Sequence, residues 1–320
     1  MEKILVGICT AKRPQMLLAC LRSLANNAAP SKTAVEIGVC DNEVRPNNQN
    51  SVADFSRDCP FIVHYIHEPR PGIPQARNAI VSKALELDAD WIAFIDDDEM
   101  AQAEWIANLY LAAKTHGADT VAGPVIRRYP EKMPFWGVKR TPPPHTTFIE
   151  GEVVNMLPTY NVLASMRLFR PPPHGMGLRF DEALATSGGE DTQLGMQAVA
   201  RGARMIWTTE AIVYETVCPS RLTFAHNLRL AYHYGVQQFI LLQMVPGRHR
   251  KKTSTVVRRA FLGIVNATIW LPVLPILAVL SSTTFKRKAL SGGWSFAYAV
   301  GTIAGLAGVK SEYYKNIDGY

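Results

Sequence analysis

The feature that most constrains this chain is an alternation, over its first 125 residues, between short apolar runs and helical segments. Residues 3–9, 35–40, 61–67, 91–95 and 120–125 read as strands. Residues 16–26, 74–87 and 104–115 read as helices between them, with Pro74 in a first turn, where its missing N–H is not needed. Short, apolar strands separated by helices predict an α/β fold with a mostly parallel, doubly wound sheet. In such sheets ligands bind beyond the carboxyl ends of the strands. Asp41 and Asp96 both stand at such ends.

The rest departs from that rhythm. Residues 126–180 read as an irregular, acceptor-side elaboration, with prolines at 130, 134, 142–144 and 171–173. Residues 192–201 return to helix and 204–208 to strand, and a long helix over 222–245 stops at Pro246-Gly247. Two uncharged runs follow, 260–282 and 289–309. At ~1.5 Å per residue each reaches ~30 Å, the thickness of a bilayer core. Gly301 and Gly305 form a GxxxG, a close-packing pattern in lipid.

Charge is segregated in the same way. The net charge is +7, yet no Asp or Glu lies between Glu215 and Glu312, where twelve of the 34 Lys and Arg are found. The remainder carries 22 basic against 27 acidic residues. An anionic surface beside the carboxyl-terminal third accounts for this. The long apolar runs favour lipid headgroups, whereas nucleic-acid binding calls for basic residues interleaved with exposed aromatics, so no nucleic-acid partner is expected. The expected division is a catalytic domain at 1–217 and a basic, apolar helical region at 218–320 that associates with a membrane. Three arrangements compete for that region: a soluble hairpin, which would demand too much apolar burial, two spans, or a re-entrant, interfacial pair kinked at Pro272 and Pro275, which keeps every basic cluster on one side. The apolar run after Met1-Glu2-Lys3 is too brief for a signal peptide. The five cysteines, without CxxC pairing, read as reduced thiols. The expected location is the cytoplasmic face of the plasma membrane.

Two clusters carry chemistry. Asp96-Asp97-Asp98-Glu99 follows the apolar run at 91–95. An acidic run is ordinarily just solvated. At the end of a buried strand, clustered carboxylates suit a hard divalent cation, and Mg²⁺ takes one or two of them plus substrate phosphate oxygens. On an extended segment Asp96 and Asp98 would share a face. Gly188-Gly189-Glu190-Asp191 precedes a helix expected from about Thr192. Its plain reading is a cap, with acidic residues at the positive helix end. Its functional reading makes Asp191 a general base. His145, His174 and Trp136 read as loop residues.

Taken in order, Asp41 after a strand, Gly72 with Ala76-Arg77-Asn78, Asp96-Asp97-Asp98, and Phe180-Asp181-Glu182 ahead of Gly189-Glu190-Asp191 resemble glycosyltransferase family 2, inverting enzymes of the GT-A fold. The resemblance covers residues 3–217. It implies a nucleotide-diphosphate sugar donor, a UDP-sugar, with Mg²⁺ or Mn²⁺ as cofactor. It implies that Asp41 contacts the base or ribose and that Thr10 and Arg13 line the nucleotide pocket. Asp96 and Asp97 would serve the diphosphate, Asp98 and Asp96 the metal, and Asp191 would be the catalytic base; Arg77 either approaches the diphosphate or makes a surface ion pair. Many members place a metal-binding His where Tyr214-Glu215-Thr216 stands here. Glu215 either ligates the cation or pairs with Arg221 or Arg229. Gln237-Gln238 is not followed by Arg-Trp, so the processive QxxRW pattern is absent and one sugar per acceptor is expected. A narrower likeness, through Glu215, Arg221 and Gly235, to bacterial exopolysaccharide glucosyltransferases of the succinoglycan type implies a hexose and a lipid-linked saccharide acceptor.

Two rival classes fit some of these residues. A sugar-phosphate nucleotidyltransferase calls for a Gly-rich phosphate loop after the first strand, and residues 10–14 hold no glycine. A membrane scaffold that binds nucleotide sugars without turnover has no use for both Asp98 and Asp191.

Overall fold

A computed structural model describes residues 1–137, 148–155, 157–244, 258, 261–265, 268–269, 282–311 and 313. The amino-terminal half alternates as its apolar runs predict: β1 (Glu2–Thr10), α1 (Pro14–Ala25), β2 (Thr33–Asp41), α2 (Gln49–Ser56), β3 (Ile62–His67), α3 (Ile73–Glu86) and β4 (Trp91–Asp96). Then come β5 (Glu99–Ala101), α4 (Trp105–His116), β6 (Thr120–Ala122), β7 (Val125–Arg128), β8 (Asn161–Ser165), α5 (Glu190–Ala200), β9 (Met205–Trp207), β10 (Val213–Thr216), α6 (Phe224–Met244) and α7 (Ser282–Leu306).

Seven strands form one sheet in the order β3-β2-β1-β4-β8-β6-β9. β3, β2, β1 and β4 are parallel, as are β6 and β9, while β8 runs antiparallel to both neighbours. The sheet is doubly wound. Ile4, Val6 and Ile8 of β1 pack to one side with Leu17 and Leu21 of α1 and Trp105 of α4. Leu5 packs to the other with Ile80 of α3 and Leu194 of α5. Each such side chain, buried, contributes roughly 1.5–3 kcal/mol relative to exposure. A Cβ at Gly7 would collide with Ile80, so the glycine lets α3 lie close against β1.

Two expectations need correcting. The stretch 126–180 is not wholly irregular: Asn161-Val162-Leu163-Ala164-Ser165 forms β8, in the middle of the sheet. The expected strand at 120–125 is two strands, because Gly123-Pro124 breaks it. Pro124 has no N–H for a ladder, and a Cβ at Gly123 would overlap the Ala211 carbonyl and lie 2.8 Å from Asn161 Nδ2. The chain thereby leaves the large sheet for a small one, β5-β10-β7. There β10 is antiparallel to β5 and parallel to β7, and the register sets Glu215 beside Glu99 and Arg127.

α6 and α7 pack backbone to backbone. A Cβ at Gly301 would overlap the Tyr232 carbonyl, and one at Gly235 the Tyr298 carbonyl. The Gly301 of the GxxxG is thus spent on α6 of the same chain. Among the described residues no helix is long and apolar enough to cross a membrane. The apolar run at 289–309 falls largely within α7, which begins with Lys286-Arg287-Lys288 near its start and turns Phe296, Val300 and Ile303 outward. Most of the run at 260–282, with Pro272 and Pro275, lies outside the described residues, as do residues 142–145 and Pro246-Gly247. All five cysteines are free.

Candidate active site

A cleft of about 1600 Å³ opens at the carboxyl ends of β1 and β4, walled opposite by the small sheet and α6. β4 delivers the acidic run to it. The strand ends at Asp96, turns through Asp97 and Asp98, and re-enters a strand at Glu99, whose Oε2 accepts the Asp96 backbone N–H at 3.1 Å. This turn, where an extended segment was expected, regroups the side chains. Asp97 and Asp98 share Arg13, whose Nη1 lies 3.1 Å from Asp97 Oδ1 and 3.4 Å from Asp98 Oδ2. Asp96 instead faces Arg77 at 3.8 Å. Thr10 Oγ1 donates to Asp97 Oδ2 at 2.8 Å.

Glu215 joins the cluster through the small sheet. Arg221, on a short 3-10 turn (Pro219–Leu222), bridges the two elements: its Nη2 is 2.9 Å from Asp98 Oδ2 and its Nη1 3.2 Å from Glu215 Oε1. Arg127 Nε donates to Glu215 Oε2 at 2.7 Å. Of the alternatives for Glu215, the ion pair with Arg221 is observed.

Crowding leaves this cluster under electrostatic tension. Burial pushes the Asp96 carboxyl up to about 7, with Asp98 and Asp97 adding to the rise against the pull of Arg77. Nearly half of the Asp96 side chain faces the cleft, yet protein closes around it on the other sides. Burial likewise lifts Asp97 to about 6, against Arg13 and the Thr10 hydrogen bond. Glu99 is raised well above the usual carboxylate range by burial, then by Asp96 and Asp98.

Arg77 of α3 is the second focus. It is buried, donates through a short contact to Glu190 and lies over the Phe180 ring at 5.8 Å. Glu190 is also buried, which raises its carboxyl against the pull of Arg77, and its Oε2 has no partner among the described residues. Gly188 and Gly189 turn the chain with φ of 64° and 91°, a region that suits glycine. α5 therefore starts at Glu190, two residues earlier than expected, and puts Asp191 in its first turn. Asp191 lines the cleft, accepts the Thr192 N–H at 2.6 Å, and makes no ion pair among the described residues.

Thr10, Arg13, Arg77, Asp96, Asp97, Asp98, Asp191 and Glu215 thus border one cleft. Asp41 does not. It is fully buried beneath, where its Oδ2 accepts from the Asn47 and Asn48 backbone N–H groups and from Tyr65. Its Oδ1 is without a partner, and the neighbouring Asn42 reaches the cleft.

The donor set suits a hard cation. Among the described residues no three His, Cys, Asp or Glu side chains converge on one point. Two carboxylates, Asp98 and Glu215, do converge, since one guanidinium touches both. Two carboxylates completed by substrate phosphates match the way Mg²⁺ is held in phosphate-handling sites.

Residues 5–174 match the model of glycosyl transferase family 2. The chain belongs to that family. It is 32% identical over 308 residues to the succinoglycan biosynthesis protein ExoM of Rhizobium meliloti (strain 1021), covering 95% of this chain and 93% of that one. The mannosyltransferase PcManGT of Pyrobaculum calidifontis, solved with GDP-Man and Mn²⁺, matches with a TM-score of 0.62 over 94% of this chain and 86% of its own, at 16% identity. S. aureus TarS 1-349, solved with UDP-GlcNAc, matches with a TM-score of 0.51 over 96% of this chain and 92% of its own, at 14% identity. A longer TarS chain is covered to 55%. The shared architecture is GT-A.

Several residues of the transferase's cleft had no sequence signal. Glu190 reads as a cap residue until Arg77 is found against it. Arg127 lies in a stretch without periodicity. Gln237 of α6 packs so closely on Gly189 that a Cβ there would lie 2.7 Å from its Nε2. His233 of α6 is buried, bonds Ser311 Oγ through Nδ1 at 2.8 Å, and stacks on Tyr313. Trp136 packs tilted against Phe224 of α6 and Phe285 of α7, with ring centroids 4.8 and 5.9 Å away.

Proposed function

We propose that this transferase moves a hexose from a nucleotide-diphosphate sugar, a UDP-sugar, to a hydroxyl of a lipid-linked saccharide in polysaccharide biosynthesis, with inversion and one sugar per acceptor. The observation that carries this is the pairing, in one cleft, of Asp191, half-buried and without a cation partner among the described residues, with carboxylates gathered around Arg13, Arg77 and Arg221. ExoM, by its name, belongs to succinoglycan biosynthesis, and PcManGT and TarS are solved with nucleotide sugars, which supports both the donor class and the setting.

Asp191 takes the proton of the attacking hydroxyl, a contribution of about 10²–10⁴-fold. Arg77, oriented by Glu190 and Asp96, and Arg13, oriented by Asp97, present fixed positive charge to the donor diphosphate. Asp41, buried outside the cleft, holds the Asn47 and Asn48 backbone rather than the donor. A bound Mg²⁺ or Mn²⁺ supplies neutralisation of the departing diphosphate, and Asp98 with Glu215 would hold it, with Asp96 nearby.

The setting is the cytoplasmic face of the plasma membrane, against anionic lipid. Phe296, Val300 and Ile303 form an outward stripe on α7, and Lys286 and Arg287 stand near its start. The test is a panel of UDP- and GDP-sugars read by nucleotide release, with lipid extract as acceptor, before and after chelation. UDP release that needs both extract and Mg²⁺ or Mn²⁺ is expected. Full turnover after exhaustive chelation would remove the metal, and turnover with GDP-sugars alone would overturn the donor assignment.

A further inference from the structure

We propose that Arg221 is an internal latch: in the donor-free enzyme it occupies the place between Asp98 and Glu215 that a divalent cation would take, and the donor diphosphate draws it away. This rests on the reading of the cleft as a metal and nucleotide-diphosphate site.

The geometry sets up a competition. The two ends of one guanidinium lie 2.9 Å from Asp98 Oδ2 and 3.2 Å from Glu215 Oε1. Both carboxylates are nearly sealed, with side chains 7% and 16% exposed, whereas Arg221 is 26% exposed and lines the cleft. The carboxylates have other holds: Arg13 Nη1 lies 3.4 Å from Asp98 Oδ2, the Thr216 N–H donates to the Asp98 carbonyl at 3.3 Å, and Arg127 holds the far oxygen of Glu215. Arg221 stands on a four-residue turn that ends in the extended Thr223. Of the three groups it is the most exposed and has the longest side chain, which suits it to move.

An arginine cannot release the pair by losing its proton. A competing anion must take it, and a diphosphate offers the paired oxygens that a guanidinium binds bidentately. Metal alone would have to break both of these contacts and brings Arg221 nothing in exchange for them. Metal arriving with a nucleoside diphosphate gains phosphate ligands while Arg221 gains phosphate in exchange. Nucleotide and metal should therefore bind with strong positive coupling, equal in both directions.

The test measures Mn²⁺ binding to the full chain by the EPR signal of free Mn²⁺, with and without UDP. In the wild type, saturating UDP should tighten Mn²⁺ by about tenfold or more. R221Q should bind Mn²⁺ alone about tenfold more tightly than wild type, and UDP should then add less than about threefold. In R221K the ammonium cannot bridge both carboxylates as the guanidinium does, so its Mn²⁺ affinity without UDP should fall between the two. It supplies the comparison should R221Q fail to fold. R221Q or R221K with wild-type affinity and wild-type coupling would overturn the latch alone. No Mn²⁺ binding by the wild type even with UDP would overturn the metal reading of the cleft, and the latch with it.

Discussion

Replacing Arg77 with Met should destabilise the protein by about 3–5 kcal/mol at pH 8, the usual loss when one partner of a buried ion pair is removed. The Arg77 and Glu190 side chains are 9% and 5% exposed, so water can replace little of what the guanidinium supplies. Glu190 Oε2 already has no partner, and the substitution strips Oε1 as well. The Glu190 carboxyl, raised by burial, loses the charge that opposes the rise. Asp96, at about 7 in the native protein, loses the same counter-charge. The sign follows: a carboxyl raised above its unfolded value holds a proton in the folded state that the unfolded chain has released. Stability then falls with rising pH, by up to about 1.4 kcal/mol per pH unit for each such proton. Arg77→Met should therefore lose far more, relative to wild type, at pH 8 than at pH 6. Urea denaturation at the two pH values measures it, and Glu190→Gln in the same chain should restore most of the loss at pH 8. A loss below about 1 kcal/mol at pH 8, or one that neither varies with pH nor responds to Glu190→Gln, would refute the reasoning.

Asp191→Asn should cut turnover by about 10²-fold or more while UDP binding and the melting temperature stay at wild-type values, because Asp191 makes no ion pair among the described residues; nucleotide release with calorimetry tests this, and a variant within a few fold of wild type would move the base elsewhere. Gly301→Leu should cost about 1–3 kcal/mol by forcing α7 away from the Tyr232 carbonyl, read as a lowered melting temperature with early proteolysis between α6 and α7. Burial pushes His233 down to about 4 from its ordinary 6.5, so the folded state resists its protonation. Stability from that site, up to about 3 kcal/mol, should be intact above pH 6.5 and drain away as pH falls towards 4. His233→Leu should flatten that part of the acid unfolding profile, and an unchanged profile would show that the site is not sealed.

Much of the large sheet was legible because its strands are apolar on both faces and its helices keep their period. β1 to β4 and α1, α3 and α4 fall within a few residues of where the sequence puts them. β8 was hidden because five residues among prolines carry too little pattern to be read, although their burial is complete enough to place them centrally. α2 begins at Gln49 with a single buried residue, Val52, and offers no apolar stripe. In the cleft, side-chain types at strand ends and at the glycine turn pointed to Asp96, Asp98 and Asp191. What sequence could not supply was pairing across long separations, such as Arg77 with Glu190 or Arg221 with Asp98, since charge complementarity is satisfied by many partners. The turn at Asp97-Asp98 also undid the two-residue logic that joined Asp96 to Asp98.

Asn161 has a mechanical consequence. Its fully buried amide accepts from Trp105 Nε1 at 2.8 Å and donates to the carbonyls of Pro124 and Ala211 at 3.0 and 2.8 Å. Those two carbonyls mark the roots of β7 and β10, and the far end is tied to the turn after β4 by the Thr216 N–H on the Asp98 carbonyl, so the small sheet is a beam held at both ends. Arg127 and Glu215 sit three and four residues out, roughly 10–13 Å along the beam. Glu215 is therefore an anvil seated on a beam fixed at both ends, and the short turn that carries Arg221 is the hammer set against it.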